Sequence, residues 1–282
     1  MMQDLVIGSI TGYDFEAIKP WVVSLERSGF SGMKAMLCYN IKQSVINELA
    51  SRGFTIFAFE QNAEGVVYTK PFNIVVERFM HMWLFLQGAK EKYNLRYVIA
   101  PDVRDVLFQT NPSTWIEQNI GNKKIIAPQE SIAYEHEKWG KQNLLQSYGG
   151  DIYSAFCKNT IINAGTIAGE IDTMVDLFLT VYLASKAGQS INPDQAALNI
   201  ILNTKAYRDI TYFAPANAGW ACQLGVTADP VKLGGYKPHL TEAEPVFDGN
   251  TVRTPSGAPF TLVHQYDRVP AWRDALLKKY GS

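Results

Sequence analysis

The sequence has 282 residues, of which 47% are hydrophobic and 19% are charged, and its formal net charge at pH 7 is −1. This composition is sufficient for a large buried core, and the length is near the upper limit for one compact domain. The near-neutral charge provides no broad basic surface for a phosphate backbone, so nucleic acid is not an expected partner.

The cysteines and the apolar segments indicate where the chain is expected to reside. Cys38, Cys157 and Cys222 are odd in number, widely spaced and without a CxxC pair, which favours neither a disulfide framework nor a zinc site and fits a cytoplasmic location. Residues 1–4 contain an acid and no basic residue, unlike a signal peptide. The apolar run 79–86 is far shorter than the roughly 20 residues of a membrane span, so none is expected.

The first half of the chain alternates short apolar runs with longer helical patterns, which is typical of βαβ units in a mainly parallel sheet. The elements predicted there are strands at 5–10, 33–39, 55–59 and 96–100, and helices at 16–28, 41–52 and 72–92. The elements predicted further along are strands at 124–127 and 161–168, helices at 172–187 and 193–203, and loops with short strands at 225–260. The expected fold class is therefore α/β.

The strand predicted at 96–100 runs directly into the acidic turn Asp102-Val103-Arg104-Asp105. In open α/β sheets, ligands bind at the carboxyl ends of strands, so this turn is the first candidate site. Carboxylates at a strand end can hold a divalent ion that anchors the phosphates of a nucleoside diphosphate sugar and stabilises the departing diphosphate. The alternative is structural, with Asp102 as a helix cap and Arg104 paired with Asp105.

At this turn the sequence resembles glycosyltransferases of the GT-A fold, in which a DxD-type motif after a central strand binds the metal and the nucleotide. Here Arg104 stands in place of the second carboxylate of a strict DxD. Either Asp105 supplies that ligand, or the Arg104 guanidinium neutralises part of the diphosphate charge. The resemblance implies that Asp102, Val103 and Arg104 contact the nucleotide sugar and that Asp102 and Asp105 hold Mn²⁺ or Mg²⁺.

Two later segments resemble the retaining glycogenin-like and lipopolysaccharide galactosyltransferase-like families. Asn163-Ala164-Gly165 is similar to their N-A-G segment, where small residues let the donor sugar approach the backbone and Asn163 would bind sugar hydroxyls. Asp194 and Gln195 match their D-Q-x-x-L-N helix start, which implies that Asp194 holds donor hydroxyls and Gln195 lies near the anomeric carbon. Alone, the first segment is more often an ordinary turn, and the second an acid that complements the helix dipole.

The segment 260–268 begins as an apolar strand that ends at His264. Related enzymes place a late histidine on the metal, so the resemblance makes His264 the third expected metal ligand. Alone, such a histidine is usually structural. The neighbouring Asp267 and Arg268 can pair with each other.

Ser9, Thr11 and Tyr13 lie at the end of the first strand, where GT-A enzymes receive the nucleobase and the ribose. Thr11 can donate a hydrogen bond there, and Tyr13 can stack on the base. Arg78, on the long helix that precedes the acidic turn, is expected to contact the diphosphate or the base. Its alternative is an arginine that extends along the protein surface.

Glu130 follows the strand predicted at 124–127 and is expected to face the same side of the sheet. It is expected either to contact the acceptor or, if the reaction inverts, to act as the general base. The segment 134–148, with Trp139 and Tyr148, is either an aromatic surface for an acceptor sugar or a packed flap.

Together these segments predict one GT-A-like domain over residues 1–282, with a nucleotide-binding half at 1–110, an acceptor and donor-sugar half at 111–282, and an irregular C-terminal extension. The expected activity is transfer of a monosaccharide, a hexose or a pentose, from a nucleotide diphosphate sugar to a glycan or other hydroxyl acceptor. Metal assistance and retention of configuration are expected from the resemblance.

Two alternatives remain. A sugar-phosphate nucleotidyltransferase should have a Gly-rich, basic phosphate loop after the first strand, yet residues 8–13 contain no Lys or Arg and the next basic residue is Lys19. A non-catalytic carbohydrate-binding protein of the same fold should have lost the nucleotide acids and the histidine, and this chain retains all of them: Asp102, Asp105, Asp194 and His264.

Overall fold

The computed structural model describes residues 2–59 and 73–281. The strands are β1 Gln3–Thr11, β2 Met33–Tyr39, β3 Phe54–Phe59, β4 Leu95–Pro101, β5 Val106–Phe108, β6 Ile125–Ala133, β7 Thr160–Ile162, β8 Thr166–Glu170, β9 Thr211–Ala214, β10 Ala221–Gln223, β11 Val246–Phe247, β12 Val252–Arg253 and β13 Leu262–His264. The helices are α1 Phe15–Arg27, α2 Gln43–Ser51, α3 Ile74–Lys92, α4 Pro112–Asn119, α5 Lys138–Phe156, α6 Ile171–Ala187, α7 Asp194–Asn203, α8 Lys205–Arg208, α9 Leu224–Thr227, α10 Leu233–Tyr236 and α11 Pro270–Tyr280.

Within the described residues, the central sheet has the strand order β3-β2-β1-β4-β8-β6-β7, and β9 joins it through β6. The pairs β1–β2, β1–β4, β2–β3 and β6–β9 are parallel. β8 is antiparallel to both β4 and β6, so β4 and β6 run in the same direction as β1. The carboxyl ends of β1, β4 and β6 therefore meet at one edge, in a mainly parallel sheet of the predicted α/β class.

Helices cover both faces of this sheet because side chains alternate along each strand. On β1, Leu5 and Ile7 pack in one buried cluster with Phe79 of α3 and Leu177 of α6. Val6 faces the other way and packs in a second cluster with the apolar side of α1. The fold is thus built of three layers, as a chain of βαβ units requires.

Two predicted strands differ from the observed ones. The strand predicted at 161–168 is interrupted by the turn 163–165, because the Asn163 side chain accepts a hydrogen bond from the Gly165 N–H at 2.7 Å and takes the place of a ladder partner. The strand predicted at 124–127 continues to Ala133. Glu130 therefore lies inside β6, next to a register irregularity and to Ser131 with φ 63, rather than after the strand.

The sequence patterns also did not predict the helices α4, α5 and α8 to α11 or the short strands β5, β9 and β10. The other differences concern element ends. The long helix begins at Ile74 and is capped by Asn73, whereas Phe72, where the sequence predicts its start, lies outside the described residues. The last strand stops at His264 because Gln265 adopts a left-handed φ of 59°. Across residues 2–59 and 73–281, none of the helices combines the length and the apolarity needed to cross a bilayer.

Candidate active site

A cavity of about 480 Å³ opens at the sheet edge where β1 and β4 end. Every residue that the sequence predicts for the site lines it: Ser9, Thr11, Tyr13, Arg78, Asp102, Val103, Arg104, Asp105, Glu130, Asn163, Ala164, Gly165, Asp194, Gln195 and His264. These residues come from both halves of the chain. The fold therefore brings them to one place, while their individual roles remain predictions.

Asp102, Asp105 and His264 form a cluster in which one ligand atom from each lies within 4.8 Å of the others. His264 Nε2 is 3.7 Å from Asp102 Oδ2 and 3.8 Å from Asp105 Oδ1. Strand pairing explains the approach, because β13 runs antiparallel to β5 with His264 opposite Val106, the residue after Asp105. This second, small sheet therefore holds His264 beside Asp105, and the end of β4 in the central sheet supplies Asp102.

The surroundings of His264 fit a metal ligand. Its Nδ1 lies 2.7 Å from Gln223 Oε1, and Gln223 Nε2 donates to Thr166 Oγ1 at 3.0 Å. A proton on Nδ1 satisfies this bond and leaves the Nε2 lone pair facing the carboxylates, as in histidines that ligate metals. Gln223 stands opposite His264 in the β10–β13 pairing. This donor set suits a divalent cation.

Gly165 provides the space that this cluster occupies. A Cβ at this position would lie 2.6 Å from Asp102 Oδ2 and 2.7 Å from His264 Cε1, both too close for any side chain. The Gly165 carbonyl also accepts a hydrogen bond from the Asp102 N–H at 2.8 Å. The missing side chain therefore makes room for the side chains of Asp102 and His264, a reason for a glycine here that the sequence does not reveal.

Arg78 is largely buried beside the cluster, with a side chain only 12% exposed, and is not the surface arginine of the alternative interpretation. It pairs with Asp102 Oδ1, and its second terminal nitrogen lies 3.3 Å from Asp194 Oδ2. Burial raises the pKa of Asp102, but Arg78 and then His264 outweigh it and hold that pKa below its usual value. Burial raises the pKa of Asp194 despite the guanidinium. Asp102 thus pairs with Arg78 through Oδ1, while its Oδ2 faces His264.

Arg104 lies outside the metal cluster of the described residues, and Asp105 lies inside it. The Arg104 guanidinium is 3.0 Å from Asp267 and 3.4 Å from Asp105 Oδ2. Arg268, which also lines the cavity, is 3.7 Å from Asp267. The two arginines thus share the Asp267 carboxylate at the cavity wall beside Asp105, and Asp105 takes the position of the second carboxylate.

Glu130, Asn163 and Gln195 form a buried hydrogen-bonded group further along the cavity. Asn163 Nδ2 donates to Glu130 Oε1 at 2.7 Å, and the Ala164 N–H donates to Gln195 Oε1 at 3.4 Å. Burial raises the pKa of Glu130 to about 7, against the opposing hydrogen bonds from Asn163 and Gln195. This carboxyl can therefore gain or lose a proton near neutral pH.

Several lining residues were not identified from the sequence: Ile74, Val75, Glu137, Asn192, Gly225, Val226, Lys232 and Gln265. Most come from loops and short helices, which carry no periodic pattern. Glu137 caps α5 by accepting the Gly140 N–H, but glutamate is not among the residues typical of a helix N-cap, so the sequence gives no signal for this position.

Comparison with known protein families gives no match, and no curated protein matches this sequence. Among solved structures, the fold is similar to that of WbbM, a bifunctional glycosyltransferase in its apo form, with a TM-score of 0.54 and 12% sequence identity. The similarity covers 98% of this chain and 50% of that one, so the chain spans half the length of its structural neighbour. At this identity the similarity concerns the fold, which is Rossmann-like and of the glycosyltransferase type.

Proposed function

We propose that the chain is a GT-A glycosyltransferase that moves a monosaccharide, a hexose or a pentose, from a nucleotide diphosphate sugar to a hydroxyl group of a glycan or other acceptor. The observation that carries this proposal is the cluster of Asp102, Asp105 and His264 in a cavity at the carboxyl edge of the sheet. Both halves, 1–110 and 111–282, supply lining residues, which supports one catalytic domain.

In this proposal the cluster of Asp102, Asp105 and His264 holds Mn²⁺ or Mg²⁺. A divalent ion supplies charge stabilisation for the phosphate oxygens of the donor and of the leaving diphosphate. Arg104 and Arg268, on the adjacent wall, add positive charge for the same oxygens. Diphosphate binding then explains why an arginine, Arg104, stands in this acidic motif, beside a metal site that Asp105 completes.

The remaining predicted residues would each bind a different part of the donor. Ser9, Thr11 and Tyr13, at the end of β1, would receive the ribose and the base, and Val103 would pack below them, since its side chain lies against Gly8. This placement is supported by the general rule that open α/β sheets bind nucleotides at their carboxyl edge.

Asp194 and Gln195 begin α7 and would hold the donor sugar beside the turn Asn163-Ala164-Gly165. The buried Arg78 keeps the Asp194 carboxylate in place, while the Asn163 amide is bound to Glu130 and to the turn itself. The turn thus contributes a narrow backbone surface, and the two α7 side chains contribute the polar contacts. This arrangement fixes the donor sugar next to the metal cluster.

The reaction forms a bond between the acceptor oxygen and the anomeric carbon and breaks the bond between that carbon and the diphosphate oxygen, which keeps the electron pair. The acceptor proton leaves with the diphosphate if configuration is retained, which we propose here, and transfers to Glu130 if configuration inverts. Binding both substrates in one orientation and stabilising the leaving group then account for catalysis.

A thermal-protection screen of nucleotide sugars tests the proposal, with Mn²⁺, with Mg²⁺ and with a chelator. We expect at least one nucleotide sugar to raise the unfolding temperature only when metal is present, and the anomeric signals of the product in NMR to report retention. Asp105→Asn removes a ligand with little change of shape and should weaken metal binding by more than about tenfold. Asp172→Asn, at an exposed acid of α6, is the matched control.

The proposal fails if no nucleotide sugar protects the protein under any metal condition. It also fails if Asp105→Asn and Asp172→Asn bind Mn²⁺ as tightly as the unmodified chain in calorimetry. Both outcomes are read on folded protein, because asparagine keeps the shape of Asp105 and because Asp172 is exposed.

A further inference from the structure

A second group of lining residues comes from elements that do not contribute to the metal cluster. Glu130 lies on β6, Glu137 and Trp139 are at the start of α5, and Lys232 directly precedes α10. The proposed function leaves the acceptor unidentified. The side chains of these four residues indicate which kind of acceptor could bind there.

Trp139 presents a free aromatic face in this part of the cavity. It is 47% exposed, and over residues 2–59 and 73–281 its indole has no aromatic or cationic partner. By contrast, Trp21 and Trp220 are fully buried in the core. An uncovered indole in a polar cavity offers a flat apolar surface that a ligand can cover, and covering it removes apolar area from water.

Hydrogen-bonding groups with spare capacity line the same cavity as this indole. Lys232 is exposed, and no described residue makes a hydrogen bond or an ion pair with its ammonium group, although its charge acts on Glu130. Glu130 keeps a lone pair available beyond its bonds to Asn163 and Gln195. The combination of a flat apolar surface with a carboxyl group and an ammonium group matches a pyranose ring, which has apolar faces and a rim of hydroxyls.

Glu137 connects the two walls of this region. One oxygen caps α5 two residues before Trp139, and the other accepts a hydrogen bond from the Tyr236 hydroxyl of α10 at 2.5 Å. Tyr236 is one helical turn after Lys232, and its N–H bonds to the Lys232 carbonyl at 3.2 Å. The positions of Trp139 and Lys232 are therefore coupled through one carboxylate, as expected of a preformed site.

We infer that this region is the acceptor subsite and that it takes a saccharide whose ring stacks on Trp139 and whose hydroxyls bind Glu130 and Lys232. The role of this region as acceptor subsite rests on the proposed function, whereas the saccharide site itself does not. An acyl chain would need an apolar channel, whereas three charged side chains line this region. Tyr148, the other aromatic residue considered from the sequence, faces elsewhere, because its hydroxyl donates to the Ala184 carbonyl at 2.9 Å.

Saturation-transfer NMR tests the inference with the full chain and a panel of methyl glycosides and disaccharides of gluco, galacto and manno configuration. Neither nucleotide nor metal is added. We expect at least one saccharide to receive saturation mainly on one ring face. Trp139→Ala should weaken its binding by at least about fivefold, and Trp139→Phe should retain part of it. Leu183→Ala, an exposed apolar residue of α6 outside the cavity, should change nothing.

Absence of saccharide binding by the unmodified chain overturns the inference, and so does binding that Trp139→Ala leaves unchanged. Lys232→Gln provides a second test, since this substitution of an exposed residue should weaken binding of the same saccharide while the fold is unaffected. If saccharides bind at Trp139 but no nucleotide sugar protects the protein, the proposed transferase function fails and the saccharide site stands. If a nucleotide sugar protects the protein but no saccharide binds at Trp139, the saccharide site fails and the proposed transferase function stands.

Discussion

Gly165 shows how a single residue can carry a steric requirement of the metal cluster. The side chains of Asp102 and His264 occupy the volume where a Cβ would lie, and the Asn163 side chain is close to the same point. The backbone here does not have the positive φ that would by itself favour glycine. The requirement is therefore one of space.

We expect Gly165→Ala to weaken metal binding by at least about tenfold while the fold is kept, because the new methyl group displaces two ligand side chains rather than core residues. Calorimetric titration with Mn²⁺ measures the effect. Gly150→Ala is the control, since nothing lies within 4 Å of a Cβ at this helical position. Equal Mn²⁺ affinity in the two variants would contradict the steric explanation.

Glu130 is the residue whose protonation the fold changes most clearly near neutral pH. It is only 6% exposed, and burial raises its pKa from 4.5 to about 7. Between these values the folded state binds more protons than the unfolded state, so this group makes the free energy of unfolding fall as pH rises. The stabilising contribution is lost above pH 7, where a buried carboxylate must stay charged.

Glu130→Gln should therefore stabilise the protein at pH 8 relative to the unmodified chain, by on the order of 3 kcal/mol, and should make little difference at pH 4.5. A glutamine keeps an oxygen that can accept the Asn163 hydrogen bond. Urea unfolding of both proteins at the two pH values measures the difference. A stability difference that is the same at both pH values would show that Glu130 does not titrate in this range.

At the scale of elements, the polar side chain of Asn199 attaches α7 to β7. Asn199 Oδ1 accepts a hydrogen bond from the Ile162 N–H, and its Nδ2 donates to the Ile162 carbonyl, both at 2.8 Å. This contact fixes the start of α7, with Asp194 and Gln195, relative to the turn that follows β7. Asn199, the final residue of the D-Q-x-x-L-N pattern, is thus a structural residue that positions Asp194 and Gln195.

Asn199→Ala should lower the free energy of unfolding by roughly 2–4 kcal/mol, because it leaves a buried backbone N–H and C=O without their side-chain partner. Denaturant unfolding measures the loss. Asn119→Ala, which removes one exposed bond to the Trp115 carbonyl, should cost much less. If both substitutions have the same small effect, the link between α7 and β7 is not a source of stability.

Periodic patterns located five of the eleven described helices and most strands of the central sheet, and they failed where a polar side chain overrides the local pattern. The run 161–168 is apolar enough to predict one strand, yet the Asn163 side chain closes a turn inside it. The end of β6 was predicted too early for a related reason. Pro128 and the polar residues after it are untypical of a strand, but pairing with β7 extends it to Ala133.

At the scale of the whole molecule, the cavity depends on pairings between segments that are far apart in sequence. The sheet β10-β13-β5 sets Gln223, His264 and Val106 side by side. The acidic turn 102–105 connects the end of β4 in the central sheet to the start of β5 in this second sheet. Chain connectivity alone does not imply this second sheet, since its strands have only three residues each.

The sequence by itself determined the α/β class, the acidic turn at the end of a central strand and the set of candidate residues, because these depend on local periodicity and on short motifs. Only the tertiary structure decided that Asp105 rather than Arg104 joins Asp102 and His264, that Arg78 is buried between Asp102 and Asp194, and that Trp139 and Lys232 line the same cavity. These relations depend on strand register and on long-range packing, which a linear pattern does not encode.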